Sequence, residues 1–306
     1  MAIYTLKNQY ITIQISSLGA ELASLKENQT GTEYMWCADP QFWGRTSPVL
    51  FPIVGACKNN EITYCGKNYP ISQHGFARDM EFNLISQSED SIWFALEDTE
   101  ATREKYPFAF RLELGYHIAK SSVEVLWRVK NPGQEKMYFS IGGHPAFRCP
   151  LEKGQKQTDY AIAFDAKDKI ISRVLGKEGV TDILLEYPLE EGCLSIVEEL
   201  FDHDALIIEN HQAHKVSLMN PAGNPYLTVT FDAPLFGIWS PPKKNAPFIC
   251  IEPWYGRADH EHFTGELKDR EWGNELEAGE TFEASYCIAI GGMIDGKKEV
   301  GNSGGY

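Results

Sequence analysis

Hydrophobic and polar positions along the chain alternate with a period of two. Tyr10-Ile11-Thr12-Ile13-Gln14-Ile15 sets three isoleucines on one face of a strand and polar groups on the other. Similar alternation, or short apolar runs rich in β-branched and aromatic residues, recurs at 80–86, 91–96, 110–119, 123–130, 160–164, 226–231 and 282–290. Turn formers such as Asn131-Pro132-Gly133 and Asn220-Pro221-Ala222-Gly223 punctuate these stretches. Amphipathic helical patterning is confined to 100–106 and 189–201, and neither segment sits regularly between strands. The strand–helix alternation of a parallel α/β protein is therefore missing. The pattern predicts an all-β protein, a large antiparallel sandwich or barrel with a few short helices.

The length of 306 residues would, at about 150 residues per domain, suggest two domains. No internal repeat or low-complexity linker divides the chain, and 151–160 and 176–181 read as loops. One domain over 1–290 is expected, followed by a loose tail over 291–306, rich in Gly, Lys and Asn. Hydrophobic residues at 43% are enough for a sizeable core. The formal charge of −15 argues against nucleic acid and against anionic membrane surfaces, since the basic clusters are no more than the pairs Lys243-Lys244 and Lys297-Lys298. No run approaches the roughly 18 apolar residues of a membrane helix. The first residues lack the layout of a signal peptide, and seven scattered cysteines form no C-x-x-C pair. These features predict a soluble cytoplasmic protein with reduced thiols.

No two glycines stand two apart, and no G-x-x-x-x-G-K-[ST] occurs, which excludes phosphate cradles of those two classes. Gly301-Asn302-Ser303-Gly304-Gly305 fits a hydrolase pattern formally, without the strand and helix that would give it meaning. His260-Glu261-His262, His211 with His214, and Asp202-His203-Asp204 are not recognised ligand sets, and solvated surface groups are the default reading. No metal site and no cofactor is expected.

Three segments combine glycines, aromatics and ionisable groups. They are Gln73-His74-Gly75-Phe76-Ala77-Arg78-Asp79, Ser140-Ile141-Gly142-Gly143-His144-Pro145-Ala146-Phe147 and Phe248-Ile249-Cys250-Ile251-Glu252-Pro253-Trp254. In the first two, a turn or strand end presents an imidazole on a constrained backbone. In the third, an apolar strand carries a carboxylate whose proton affinity its surroundings can tune. Taken singly, each also has a structural reading as an ordinary turn or strand end. Together they offer imidazoles, a carboxylate and aromatic faces (Trp254, Phe147, Trp239), with no nucleophilic Ser or Cys arranged beside them. That set suits proton transfer on a polyhydroxylated ligand such as a sugar.

In that order and spacing, Gln-His-Gly-Phe-Ala-Arg, Gly-Gly-His-Pro-Ala-Phe and Ile-Glu-Pro-Trp resemble the aldose 1-epimerase (galactose mutarotase) family, in its LacX-like branch. Supporting matches are 48–55, 204–207 and 237–239, and the resemblance runs from about residue 10 to residue 290. It implies a large antiparallel β-sandwich, the supersandwich. It also implies an enzyme that interconverts sugar anomers without metal, nucleotide or covalent intermediate, as a monomer or homodimer. By the same resemblance, His144 matches the general acid, Glu252 the general base and His74 the substrate-orienting histidine. Asp204 matches the hydroxyl-binding aspartate, with Asp202 as the alternative. Arg78 and Trp254 match substrate-binding positions. One departure is Ala56-Cys57-Lys58, where many relatives carry a basic residue sooner after Phe-Pro-Ile-Val-Gly. A silent sugar-binding protein on the same fold is one rival reading. An enzyme for hexose phosphates, needing a cationic pocket built from Arg45, Lys58 and Arg78, is another.

Overall fold

A computed structural model describes residues 1–291; the tail expected from Gly291 onward otherwise lies outside the described residues. Two large antiparallel sheets dominate. The nine-stranded sheet runs in the order Cys193–Ser195, Ala161–Phe164, Lys215–Met219, Pro225–Phe231, Thr281–Ile290, Ser122–Lys130, Arg111–Ala119, Ser91–Glu97, Asn83–Gln87. The eight-stranded sheet runs Val180–Pro188, Lys169–Leu175, Leu206–Ile208, Leu235–Trp239, Phe248–Tyr255, Ile141–Gly143, Val49–Leu50, with Ala146–Arg148 also paired onto Phe248–Tyr255. A three-stranded sheet, Ile3–Lys7, Ile11–Ser16 and Glu21–Glu27, packs into the same apolar core through Leu6, Ile11, Ile13 and Ile15.

The inward faces of the two large sheets meet in that core. Val125 and Ile288 come from one sheet, and Phe236, Ile238, Ile249 and Ile251 from the other. Because successive side chains on a strand point to opposite faces, Phe248–Tyr255 sends Ile249 and Ile251 into the core. Phe248, Cys250, Glu252 and Trp254 go to the other face, where two smaller clusters cover them. Seven of its eight residues are thus buried, which is why it reads in sequence as an apolar run without alternation.

The strands expected from periodicity are present, although the 80–86 segment becomes a strand only over Asn83–Gln87, all of it exposed. Two expectations change. Of the 100–106 helix, a single turn forms, Glu100–Arg103, capped by the Thr99 hydroxyl accepting from Thr102 N. The 189–201 segment is not helical. Positive φ at Glu191 (52°) and Gly192 (81°) makes a turn there, and Cys193–Ser195 adds an edge strand beside Ala161–Phe164. Among the described residues no helix is long and apolar enough to cross a membrane.

Candidate active site

The covered outer face of the eight-stranded sheet holds a cavity of about 750 Å³. His74, Arg78, His144, Asp204, Glu252 and Trp254 all line it, as do Arg45 and Lys58. Asp202 is exposed and lies outside its lining, and Phe147 is fully buried in the core. The expectation that Phe147 offers a stacking face is thereby corrected: strand alternation turns Phe147 inward, next to Ile249 in the pairing.

Glu252 sits in mid-strand, paired in register with Gly237. Its side chain is almost closed off from solvent, and Oε2 lies 3.3 Å from His144 Nε2. Burial pushes the Glu252 carboxyl well above its usual range, and the nearby negative charge of Asp204 adds to this. Burial also lowers His144, to about 3, and the positive charges of Arg78 and Arg45 act in the same direction. Each partner thus favours its neutral form, and the one exchangeable proton of the pair rests on Glu252. Glu252 Oε2 and His144 Nδ1 are both buried without a hydrogen-bond partner, leaving capacity for a ligand.

Around this pair the cavity is aromatic. Trp43 stacks on the His144 ring with centroids 4.7 Å apart, and Trp239 meets it edge-on at 5.5 Å. The indole of Trp254 fits because its neighbours lack side chains. A Cβ on Gly237 would fall 2.5 Å from the indole tip, and one on Gly142 would fall 2.6 Å from Cδ1. Gly237→Ala is therefore expected to displace the indole and cost about 1–3 kcal/mol of stability by overpacking. Thermal melting and quenching of tryptophan fluorescence by sugar check this; an unchanged melting temperature with unchanged quenching would contradict it.

His74 is held by its backbone. It adopts φ of 66° and is followed by Gly75 at 71°, where a Cβ would strike the Phe51 carbonyl at 2.2 Å. His74 N donates to Gly55 O at 2.8 Å, and Gly55 N donates back to His74 Nδ1 at 3.1 Å. Accepting at Nδ1 leaves Nε2 to carry the ring proton. Burial, then His144 and the two arginines, push the His74 imidazole well below its usual range.

Arg78 donates to Gln73 O at 2.7 Å, and its buried Nε has no hydrogen-bond partner, the Asp79 carboxylate lying 3.9 Å away. Burial and Arg45 lower it to about 10. Arg45 is bound to Asp79 at 2.8 Å. Asp204 stands at φ 69° with its carboxylate accepting from Ala205 N at 2.8 Å. Lys58 donates its ammonium to Glu261 O at 3.0 Å, so the basic group at the departure from the family pattern is engaged with backbone.

One wall of the cavity is braced from behind by buried ion pairs. Arg270 Nε donates to Asp259 Oδ1 at 2.6 Å, while Asp259 Oδ2 accepts from Lys58 N at 2.9 Å. Arg257 and Arg173 share the Glu209 carboxylate, at 2.6 Å and 2.8 Å. This bracing, and Trp43, lay beyond sequence reasoning. Trp43 lies outside any periodic segment, and the ionic partners are distant in sequence.

The sequence model of the aldose 1-epimerase family matches residues 2–288. Protein LacX of Lactococcus lactis subsp. lactis, in chromosomal and plasmid versions, is 33% identical over 295 residues, covering 93% of this chain and 98% of the relative. A galactose mutarotase related enzyme from Lactobacillus acidophilus superposes with a TM-score of 0.90 at 37% identity, covering 95% of this chain and 97% of its own. A galactose mutarotase-like protein from Lactobacillus casei superposes with a TM-score of 0.88 at 28% identity, covering 95% and 100%. The chain belongs to the aldose 1-epimerase family and is an enzyme of the isomerase class.

Proposed function

We propose that this enzyme interconverts the α and β anomers of an aldohexose, with Glu252 as general base and His144 as general acid. The observation that carries this reading is the 3.3 Å contact between two nearly enclosed groups that both face one cavity. The pair's proton first passes from Glu252 to His144; the Glu252 carboxylate then takes the proton of the anomeric hydroxyl while the His144 imidazolium gives one to the ring oxygen. The C1–O5 bond breaks and the anomeric C–O becomes a carbonyl. Rotation about C1–C2 offers the other face, and the reverse transfers close the ring. His74 orients the sugar, Asp204 and Arg78 bind its hydroxyls, and Trp254 meets its C–H face. In this reading residues 1–290 act as one domain, supported by the core cluster that runs from Leu6 to Ile290. Seven cysteines, none in a disulfide, support a reducing cytoplasm.

The test is exchange NMR or polarimetry on freshly dissolved glucose, galactose and their 6-phosphates, with the spontaneous rate subtracted. Acceleration of at least one sugar is expected; binding without acceleration would favour the silent sugar-binding protein. The acid–base pair also sets the pH profile. With His144 lowered to about 3, it accepts a second proton only well below the range of free imidazole; with Glu252 raised, it gives up its proton only above the ordinary carboxylate range. The rate is expected to show no acid limb near pH 6.5, where free imidazole titrates, and a limb there would contradict the assignment.

A hexose phosphate is the second reading. Arg45, Lys58 and Arg78 line the cavity, and Arg78 Nε, buried with no hydrogen-bond partner, is the observation that favours it. Faster exchange of the 6-phosphates than of the free sugars would decide for it.

A further inference from the structure

Strand alternation puts Cys250 two residues from Glu252 on the same face, yet the proposed proton exchange makes no use of its fully buried thiol. Cys250 Sγ, a ring nitrogen of His144 and a Glu252 oxygen all lie within 4.8 Å of one another. Thiolate, imidazole and carboxylate are the ordinary ligands of zinc, at bond lengths near 2.0–2.3 Å. In a tetrahedron of that size neighbouring ligand atoms stand about 3.3–3.6 Å apart. The His144–Glu252 edge, at 3.3 Å, is already of that length, and Cys250 needs a shift of about 1 Å. Glu252 Oε2 has no hydrogen-bond partner to give up. His144 and Glu252 line the cavity, from which an ion can reach them, and Cys250 lies outside its lining.

We propose that His144, Cys250 and Glu252 bind a thiophilic divalent cation such as Zn²⁺, and that this ion inhibits the enzyme. On binding, the thiol proton and the proton held by Glu252 both leave to solvent as the Zn–S and Zn–O bonds form. The ion occupies the imidazole nitrogen and the carboxylate that the proposed acid–base exchange needs, so the inhibition rests on that reading, whereas the binding does not. Thiolate and imidazole select zinc over magnesium or calcium, which prefer oxygen ligands. A resident zinc histidine usually donates its second ring N–H to a carboxylate or carbonyl, and His144 Nδ1 has no such partner. The ion is accordingly held reversibly, as an inhibitor removable by a chelator.

The experiment titrates zinc chloride, cobalt chloride and magnesium chloride into chelator-treated protein and into Cys250→Ala and Cys250→Ser, each checked for native melting. Calorimetry is expected to give one zinc per chain and no magnesium binding. Cobalt is expected to produce a thiolate charge-transfer band that both variants lack, and zinc affinity should fall at least tenfold in each. Equal zinc affinity in wild type and variants, or cobalt binding without that band, would overturn the site. Zinc binding with the band but undiminished anomer exchange would uphold the site and overturn the acid–base roles of His144 and Glu252.

Discussion

Glu252→Gln lowers the enzyme-catalysed rate of anomer exchange by about 10²–10⁴-fold, the range expected for removing a positioned general base. Glutamine has the same size and keeps a hydrogen-bonding oxygen, so the strand and its pairing to Gly237 are preserved. Burial already disfavours the charged carboxylate, and a neutral amide in its place carries no desolvation penalty of that kind. The melting temperature is therefore expected to stay level or rise while activity is lost. Exchange NMR on the sugar that wild type accelerates, paired with thermal melting, reads both quantities. A variant with wild-type rates would remove Glu252 from the chemistry. One that is inactive and melts many degrees lower would mean the carboxyl is structural.

Asp259→Ala is the change with the largest expected effect on stability, about 3–5 kcal/mol, because it leaves a buried guanidinium without its counter-charge. The Arg270 and Asp259 side chains are 3% and 4% exposed, so solvent screens their pair little. The cost reaches the cavity as well. Asp259 accepts from Lys58 N through its carboxylate, donates its own N–H to Ala56 O, and accepts from Val180 N at its carbonyl. Alanine keeps the two main-chain bonds to Ala56 and Val180 but loses the carboxylate that holds Lys58 N in the 55–60 loop. At temperatures where the variant remains folded, KM should rise more than kcat falls, since the wall loosens while Glu252 keeps its strand and His144 its place between Ile141–Gly143 and Ala146–Arg148. Denaturant unfolding and steady-state kinetics check the two halves. A loss below 1 kcal/mol would mean that water reaches Arg270 and takes the place of the carboxylate.

The fold class was legible because period-two alternation is recorded in neighbouring residues. Where it failed, the cause was local. The 189–201 segment has apolar spacing compatible with a helix, but the turn at Glu191-Gly192 interrupts it and sheet pairing takes Cys193–Ser195. The strand carrying Glu252 was recognisable only as an apolar run, since burial on both faces erases alternation.

For the candidate site, sequence and the family resemblance singled out His74, Arg78, His144, Asp204, Glu252 and Trp254, because glycines, prolines and ionisable groups crowd around most of them. Their convergence on one cavity, and the choice of Asp204 over Asp202 in its lining, came from the structure. So did Trp43 on the His144 ring, the glycines that seat Trp254, and the ion pairs behind the wall.

By itself, then, the sequence determined the strand content, the acidic surface and the residue types available for proton transfer, all of which depend on composition and on neighbours in the chain. Tertiary structure alone decided the proton affinities. His144 and Glu252 are shifted by burial first, then by Arg78, Arg45 and Asp204, which the fold brings near from distant segments. Desolvation and Coulomb interaction depend on distance through space, and no spacing along the chain encodes them.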